Sequence, residues 1–211
     1  MTDLDRYISS HTTSEGQLLT ELSRVTHQRV VQPRMLSGHV QGQLLKMLTQ
    51  MMNPRKVLEI GTFTGYSALC IASGLGEGAE LHTIEVDDEL ESLAASFFER
   101  SEHSKKIHHH IGSALDIVPE LGVKFDMVFM DGDKREYPAY YNMLMDGGYL
   151  GGGSVILSDN ILWSGKVVEP LQKNDKHTRA LLEFNDMVVR DERVECVILP
   201  IRDGLTLIRV K

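Results

Sequence analysis

Two regimes of hydrophobic spacing meet near Pro54. Over residues 4–52 apolar positions recur at helical offsets, with Leu18, Leu19, Leu22 and Val25 in one group and Leu44, Leu45 and Leu48 in another. Pro33 predicts a break between two helices, and Ser37 is a candidate cap for the second. Beyond Pro54, short β-rich runs alternate with longer amphipathic stretches. The runs are 56–60, 81–85, 107–111, 125–130, 154–158, 194–199 and 205–210, and helices are predicted at about 65–73, 89–100, 134–145 and 177–189. Strands alternating with helices argue for a doubly wound α/β fold, a mostly parallel sheet with helices on both faces. Only Pro200-Ile201-Arg202-Asp203-Gly204 joins the last two runs, which is hairpin length, so the sheet ends in an antiparallel hairpin. The 211 residues read as one domain, a helical lid or interface segment over 1–53 followed by an α/β core over 54–211.

Charge narrows the partners. Against 30 acidic residues stand 22 basic ones, a formal charge of −8, and no basic run exceeds Lys105-Lys106, so nucleic acid is not expected. The start of the chain is acidic and no apolar stretch approaches the roughly 18 to 20 residues of a membrane span, so a cytoplasmic protein without membrane contact is expected. Cys70 and Cys196 lie in apolar runs and read as buried free thiols. The triple His108-His109-His110 falls in a strand, where alternation splits it between two faces and argues against a shared metal. The apolar content of 4–52 exceeds what a lid requires, and part of it is expected to bury a two-fold interface.

The candidate chemistry sits at strand ends. Val57-Leu58-Glu59-Ile60-Gly61-Thr62-Phe63-Thr64-Gly65-Tyr66-Ser67 is an apolar strand entering a glycine turn and a helix start, where doubly wound folds bind ligands. Gly61 lets a cofactor approach the backbone. Glu85 ends the next strand, 85 − 61 = 24 residues on, where an acid can accept both ribose hydroxyls. Phe63 replaces the middle glycine of a dinucleotide fingerprint, and Glu59 would repel phosphate but tolerate a sulfonium carrying an amino-acid tail. These features favour S-adenosylmethionine over NAD. Two further strands end in Asp131-Gly132-Asp133-Lys134 and in Asp159-Asn160. If the strands are neighbours, Asp131, Asp159 and Asn160 offer hard oxygen ligands to Mg²⁺, Mn²⁺ or Ca²⁺, whereas taken singly such acids are ordinary helix caps. A divalent cation stabilises a phenolic oxyanion, and a lysine beside it can accept the proton.

At these residues the sequence resembles the cation-dependent O-methyltransferases of the catechol and caffeoyl-coenzyme A type, nearest their bacterial members. The likeness runs from about Met35 to the C-terminus and rests on the glycine turn, on Asp131-Gly132-Asp133-Lys134, on Asp159-Asn160-Ile161-Leu162-Trp163-Ser164-Gly165 and on Asp203-Gly204-Leu205-Thr206. It implies the Rossmann-like S-adenosylmethionine methyltransferase fold with a seven-stranded sheet and extra N-terminal helices, and a homodimer. It implies catalysis by Lys134 and Asp131, a cation on Asp131, Asp159 and Asn160, and cofactor contacts from Met35, Ser37, Glu59, Gly61, Ser67, Glu85, Ala114, Asp131 and Asp133. Ser164 and the short segment 167–177 depart from the plant pattern and weigh against a coenzyme A thioester acceptor. Trp163, the only tryptophan, reads either as a wall for a small aromatic hydroxyl substrate or as a core aromatic. The rival readings are an NAD(P)-dependent oxidoreductase on a similar sheet and a non-catalytic binding protein.

Overall fold

All seven runs with strand-like spacing form strands. The structure, a computed structural model, describes residues 2–211. Its elements are α1 (Asp3–Ser10), α2 (Gln17–Arg29), α3 (Gly38–Met52), β1 (Lys56–Ile60), α4 (Tyr66–Gly74), β2 (Glu80–Glu85), α5 (Glu91–Glu99), β3 (Ile107–Ile111), α6 (Ala114–Leu121), β4 (Phe125–Met130), α7 (Tyr137–Asp146), β5 (Leu150–Asp159), α8 (Lys176–Arg190), β6 (Val194–Leu199) and β7 (Leu205–Val210). The strand order is β3-β2-β1-β4-β5-β7-β6. The pairings β2–β3, β1–β4 and β4–β5 are parallel, whereas β7 runs antiparallel to both β5 and β6. The expected mostly parallel sheet with a terminal antiparallel hairpin is therefore present. Among the described residues no helix is long and apolar enough to cross a membrane.

Two compact units can be described separately, one made of residues 1–55 and 62–111, the other of 56–61 and 112–211. In the first, α4 is apolar all round, with eight of its residues buried, and α3 packs along it with Gln41, Gly42, Leu45 and Thr49 inward. Helix α1 buries no residue and leaves Leu4, Tyr7 and Ile8 exposed. Ser37 occupies the position before α3 but makes no side-chain cap bond, and its own backbone is already helical, so the cap expected from sequence does not form. The histidine triple divides as alternation requires. His109 meets the Phe98 ring edge-on at 5.4 Å, while His108 and His110 stack on His82 of the neighbouring strand.

The second unit holds the larger core. Strands β1, β4 and β5 are buried along most of their lengths because both faces of a parallel sheet are covered. Two elements differ from expectation. Helix α6 is absent from the sequence reading because Pro119 lies within it, a residue that ordinarily stops a helix. Its start is fixed instead by Ser113, whose Oγ accepts from the Leu115 amide. Strand β5 begins at Leu150, four residues earlier than expected, because Gly151, Gly152 and Gly153 carry no side-chain signal for a strand. Cys70 is buried, but Cys196 is exposed on the terminal strand β6, contrary to the expectation for both thiols.

At the far end of α8, Asp191 ties the unit together. It accepts from the Tyr141 hydroxyl at 2.9 Å and from both the backbone and the guanidinium of Arg193, which also reaches Asp146. The Arg193 guanidinium holds the Asp191 carboxyl well below the ordinary range, at about 2. A carboxyl depressed on folding stabilises above its unfolded value near ~3.9 and loses that contribution as the pH falls toward the folded value. Asp191→Asn should therefore lower the unfolding free energy at pH 7 by about 1–2 kcal/mol. The deficit relative to wild type should shrink between pH 4 and pH 2 in denaturant titrations. A deficit independent of pH would show that Asp191 acts only by packing.

Candidate active site

The parallel register of β4 and β5, with Met130 opposite Ser158, brings their carboxyl ends to the same edge. The chain therefore delivers Asp131 and Asp159 side by side, as the sequence reading required. Asp159 is 2% exposed, and its Oδ1 accepts from the Asn160 amide at 2.8 Å. Asn160 itself adopts a left-handed conformation, φ 57°, which an Asn side chain tolerates better than most. Burial pushes the Asp131 carboxyl up to about 6; the Lys134 ammonium opposes this, and the neighbouring Asp159 carboxylate adds to it.

Lys134 is 6% exposed, not the exposed helix-starting lysine that position alone would allow. Its Nζ donates to Asp131 Oδ1 and to the Tyr137 hydroxyl, each at 2.7 Å. Tyr137 was not singled out in the sequence. Its hydroxyl lies 2.8 Å from the Met130 carbonyl and 2.9 Å from the Asp159 carbonyl, so one phenol links the ends of β4 and β5 while orienting the lysine. Burial, reinforced by Asp131, raises this phenol well above its ordinary range and keeps it a donor. The only sequence signal was an aromatic three residues after the lysine, the spacing of one helical turn. Asp133 caps the short 3-10 turn Lys134–Glu136, and both of its oxygens are held by Arg135, which lowers its carboxyl.

Trp163 is not a core residue. It sits in the turn Trp163–Val168, where Trp163, Ser164 and Gly165 all have positive φ. The β6–β7 loop holds that turn through the Ile161 and Leu162 amides, which donate to Gly204 and Asp203 carbonyls, and the Ser164 amide, which donates to Asp203 Oδ1. The imidazole of His177 lies on the indole face, ring centroids 5.7 Å apart and 19° from parallel. His177 Nε2 is also 3.9 Å from Asp133.

In the other unit, Glu85 ends β2 as expected. Its Oε2 accepts from the Phe63 amide at 2.6 Å, and its Oε1 from the Val86 and Asp87 amides at 2.9 and 3.0 Å. A carboxylate has about four acceptor positions, so the three amides leave one of them open. Threonines that the sequence reading passed over secure the same turn. Thr62 bonds Thr83 at 2.6 Å, and Thr26 of α2 donates to Thr64 at 3.0 Å. Ser37 and Ser67 are buried and Met35 is 55% exposed. Glu59 and Ala114, in the second unit, are buried. A cavity of about 560 Å³ in the first unit, lined by Glu15, His39, Lys46, Cys70 and His103 among others, contains none of the candidate residues.

A doubly wound sheet whose strand ends carry this glycine turn and these acids defines a class, the Rossmann-like methyltransferases. The chain aligns with an O-methyltransferase from Bacillus cereus solved in complex with SAH, with a TM-score of 0.91 and 28% identity over 100% of this chain and 98% of that one. It aligns also with the O-methyltransferase TomG of Streptomyces achromogenes, solved in complex with SAM, with a TM-score of 0.89 and 28% identity over the whole of both chains. Residues 8–211 match the O-methyltransferase family model, and the chain belongs to that family. Among curated relatives, caffeoyl-CoA O-methyltransferase 1 of Arabidopsis thaliana is 33% identical, over 98% of this chain and 84% of its own. Catechol O-methyltransferase domain-containing protein 1 of Mus musculus is 33% identical, over 96% and 78%.

Gly61 has a structural reason beyond access for a cofactor. Its φ is 101°, and a Cβ there would lie 2.5 Å from the Asp131 carbonyl oxygen and 2.7 Å from its carbon. The Asp131 amide donates to Ile60 at 2.8 Å across this gap. Gly61→Ala should push apart the ends of β1 and β4, lowering stability by roughly 2–4 kcal/mol, as overpacking and strained φ combine. Thermal unfolding measures this, and a loss under 1 kcal/mol would mean that the strand ends can separate freely.

Proposed function

We propose that this O-methyltransferase moves the methyl group of S-adenosylmethionine to a hydroxyl of a small aromatic acceptor with the help of a divalent cation. The observation that carries the reading is the set at the ends of β4 and β5: Asp131 and the buried Lys134 and Tyr137 joined by hydrogen bonds, with Asp159 and Asn160 alongside. The B. cereus and S. achromogenes relatives, solved with SAH and SAM, support the cofactor, and Glu85, with one acceptor position left, is the residue to receive its ribose.

The donor set fits a hard cation. The proposed ligands are two carboxylates and the Asn160 amide oxygen, all hard donors, although among the described residues no three His, Cys, Asp or Glu side chains gather for an ion. Asp131 and Asp159 are close enough to repel, and a cation relieves that repulsion. When bound, it polarises the acceptor oxygen and favours its ionised form. The remaining work falls to the chain. Nζ of Lys134 donates to Asp131 and, as the free amine, would take the proton leaving the acceptor hydroxyl. An oxygen–carbon bond forms, the carbon–sulfur bond breaks, and the electron pair stays on sulfur to give S-adenosylhomocysteine. Tyr137 keeps the amine aligned throughout.

Chelation should abolish turnover on a catechol and Mg²⁺ should restore it, with Asp159→Ala resisting rescue at ordinary Mg²⁺. Undiminished turnover in chelator would reduce the acids to helix caps. Lys134→Ala should lower kcat by roughly 10²- to 10⁴-fold, the usual worth of a positioned base, while cofactor affinity by calorimetry changes little. Lys134→Arg should fail as well, because guanidinium stays protonated. Near-normal kcat in the alanine variant would remove the base role from Lys134.

A further inference from the structure

The cavity of about 560 Å³ in the first unit lies between α3, α4 and the chain leaving α5, with the start of α2 across it. All of these elements belong to that one unit. Its volume falls within the roughly 300–1,000 Å³ of small-molecule sites. Two glycines hold two of its walls in place. A Cβ on Gly42 of α3 would lie 2.7 Å from Cys70 Sγ and 2.8 Å from Tyr66 Cε1, and one on Gly74 of α4 would lie 2.6 Å from the Lys46 carbonyl oxygen. The two helices already touch at both points, so they cannot close over the space beside them. Helix α2 is tied across it at two places. Arg100, at the end of α5, donates to Glu21, and the Tyr66 hydroxyl donates to Glu15 just before α2.

The lining has an apolar side and a cationic one. Leu18, Leu19 and Leu69 supply the first, and Lys46, Gln43 and His103 the second. The neighbouring cations differ in how they are used. Arg100 is paired with Glu21, and Lys106 gives its ammonium to the Leu75 carbonyl at 2.6 Å. Among the described residues nothing pairs with the Lys46 ammonium. His39 is held by Ser9 and by the Thr13 carbonyl. Glu15 is engaged by the Tyr66 and Thr20 hydroxyls. The His103 side chain is 25% exposed. Burial lowers the pKa of its imidazole; the exposed Glu102 carboxylate, 3.5 Å away, opposes this, and the Lys106 and Lys46 ammoniums add to it. In a chain of formal charge −8, this cavity is short of negative charge.

We propose that the cavity is a second ligand site, for a small amphipathic oxyanion, its apolar body against Leu18, Leu19 and Leu69 and its carboxylate, sulfonate or phosphate head on Lys46 and His103.

Nuclear magnetic resonance on the full-length protein tests this through the imidazole C2 proton of His103, assigned by its loss in His103→Gln. The probes are benzenesulfonate and methanesulfonate, which carry the same single charge throughout the titration. An anion beside an imidazole favours its charged form, so at constant ionic strength benzenesulfonate should raise the His103 pKa by about half a unit or more. The exposed His27 should not respond. Benzenesulfonate should bind about fivefold or more tightly than methanesulfonate, because its ring buries apolar surface on the leucines. Lys46→Met should raise the His103 pKa of the free protein, since a like charge is gone, and yet weaken benzenesulfonate binding about fivefold or more. A His103 signal that ignores both probes, or one that responds to benzenesulfonate as strongly in Lys46→Met as in wild type, overturns the site. Equal affinity for the two sulfonates overturns the amphipathic ligand.

Discussion

The hydroxyl of Tyr137 is the point on which the site depends. Parallel strands end in carbonyls with no further strand partner, and at the ends of β4 and β5 two of these, on Met130 and Asp159, face one buried phenol. The same oxygen accepts from Lys134, which in turn holds Asp131. A single aromatic ring, packed edge-on against Phe184 of α8, thus fixes two strand ends, a cation and an acid at once. Removing any one would leave another buried polar group unsatisfied, which costs far more than the bond itself contributes.

This coupling explains why the acids are buried at all. Isolated carboxylates avoid the interior, and Asp131 shows the strain in its raised pKa. Lys134, from the turn after β4, and Arg202, from the loop before β7, both supply opposite charge to Asp131. The antiparallel hairpin at the end of the sheet is therefore more than an edge; it delivers both a charge and the clamp on the Trp163 turn.

The strands were legible because buried parallel strands are nearly continuous apolar runs, and the acids because they punctuate those runs at their ends. What escaped had no such periodicity. Tyr137 reads as one more helical aromatic until its hydroxyl is followed to two carbonyls far apart in sequence. Helix α6 hid behind Pro119, and the start of β5 behind three glycines. Ser37 stands where a cap belongs, yet the local backbone is already helical there, so position alone misassigned its bond. The occupancy of Glu85 by three amides could not be seen either, since it depends on how the turn after β1 curls back over the end of β2.

The clamp between the β6–β7 loop and the Trp163 turn has a consequence for how such a chain can diversify. The turn is gripped by residues 203–204, by Asn185 of α8, which donates to the Ile161 carbonyl, and by the His177 ring on Trp163, while Val168 beyond it stands largely in solvent. Changes of composition confined to the exposed residues 168–174 leave all of these grips in place. Sequence change in that segment is insulated from the turn and from the two strand ends, so a lineage can edit one surface loop while Asp131 and Asp159 stay where they are.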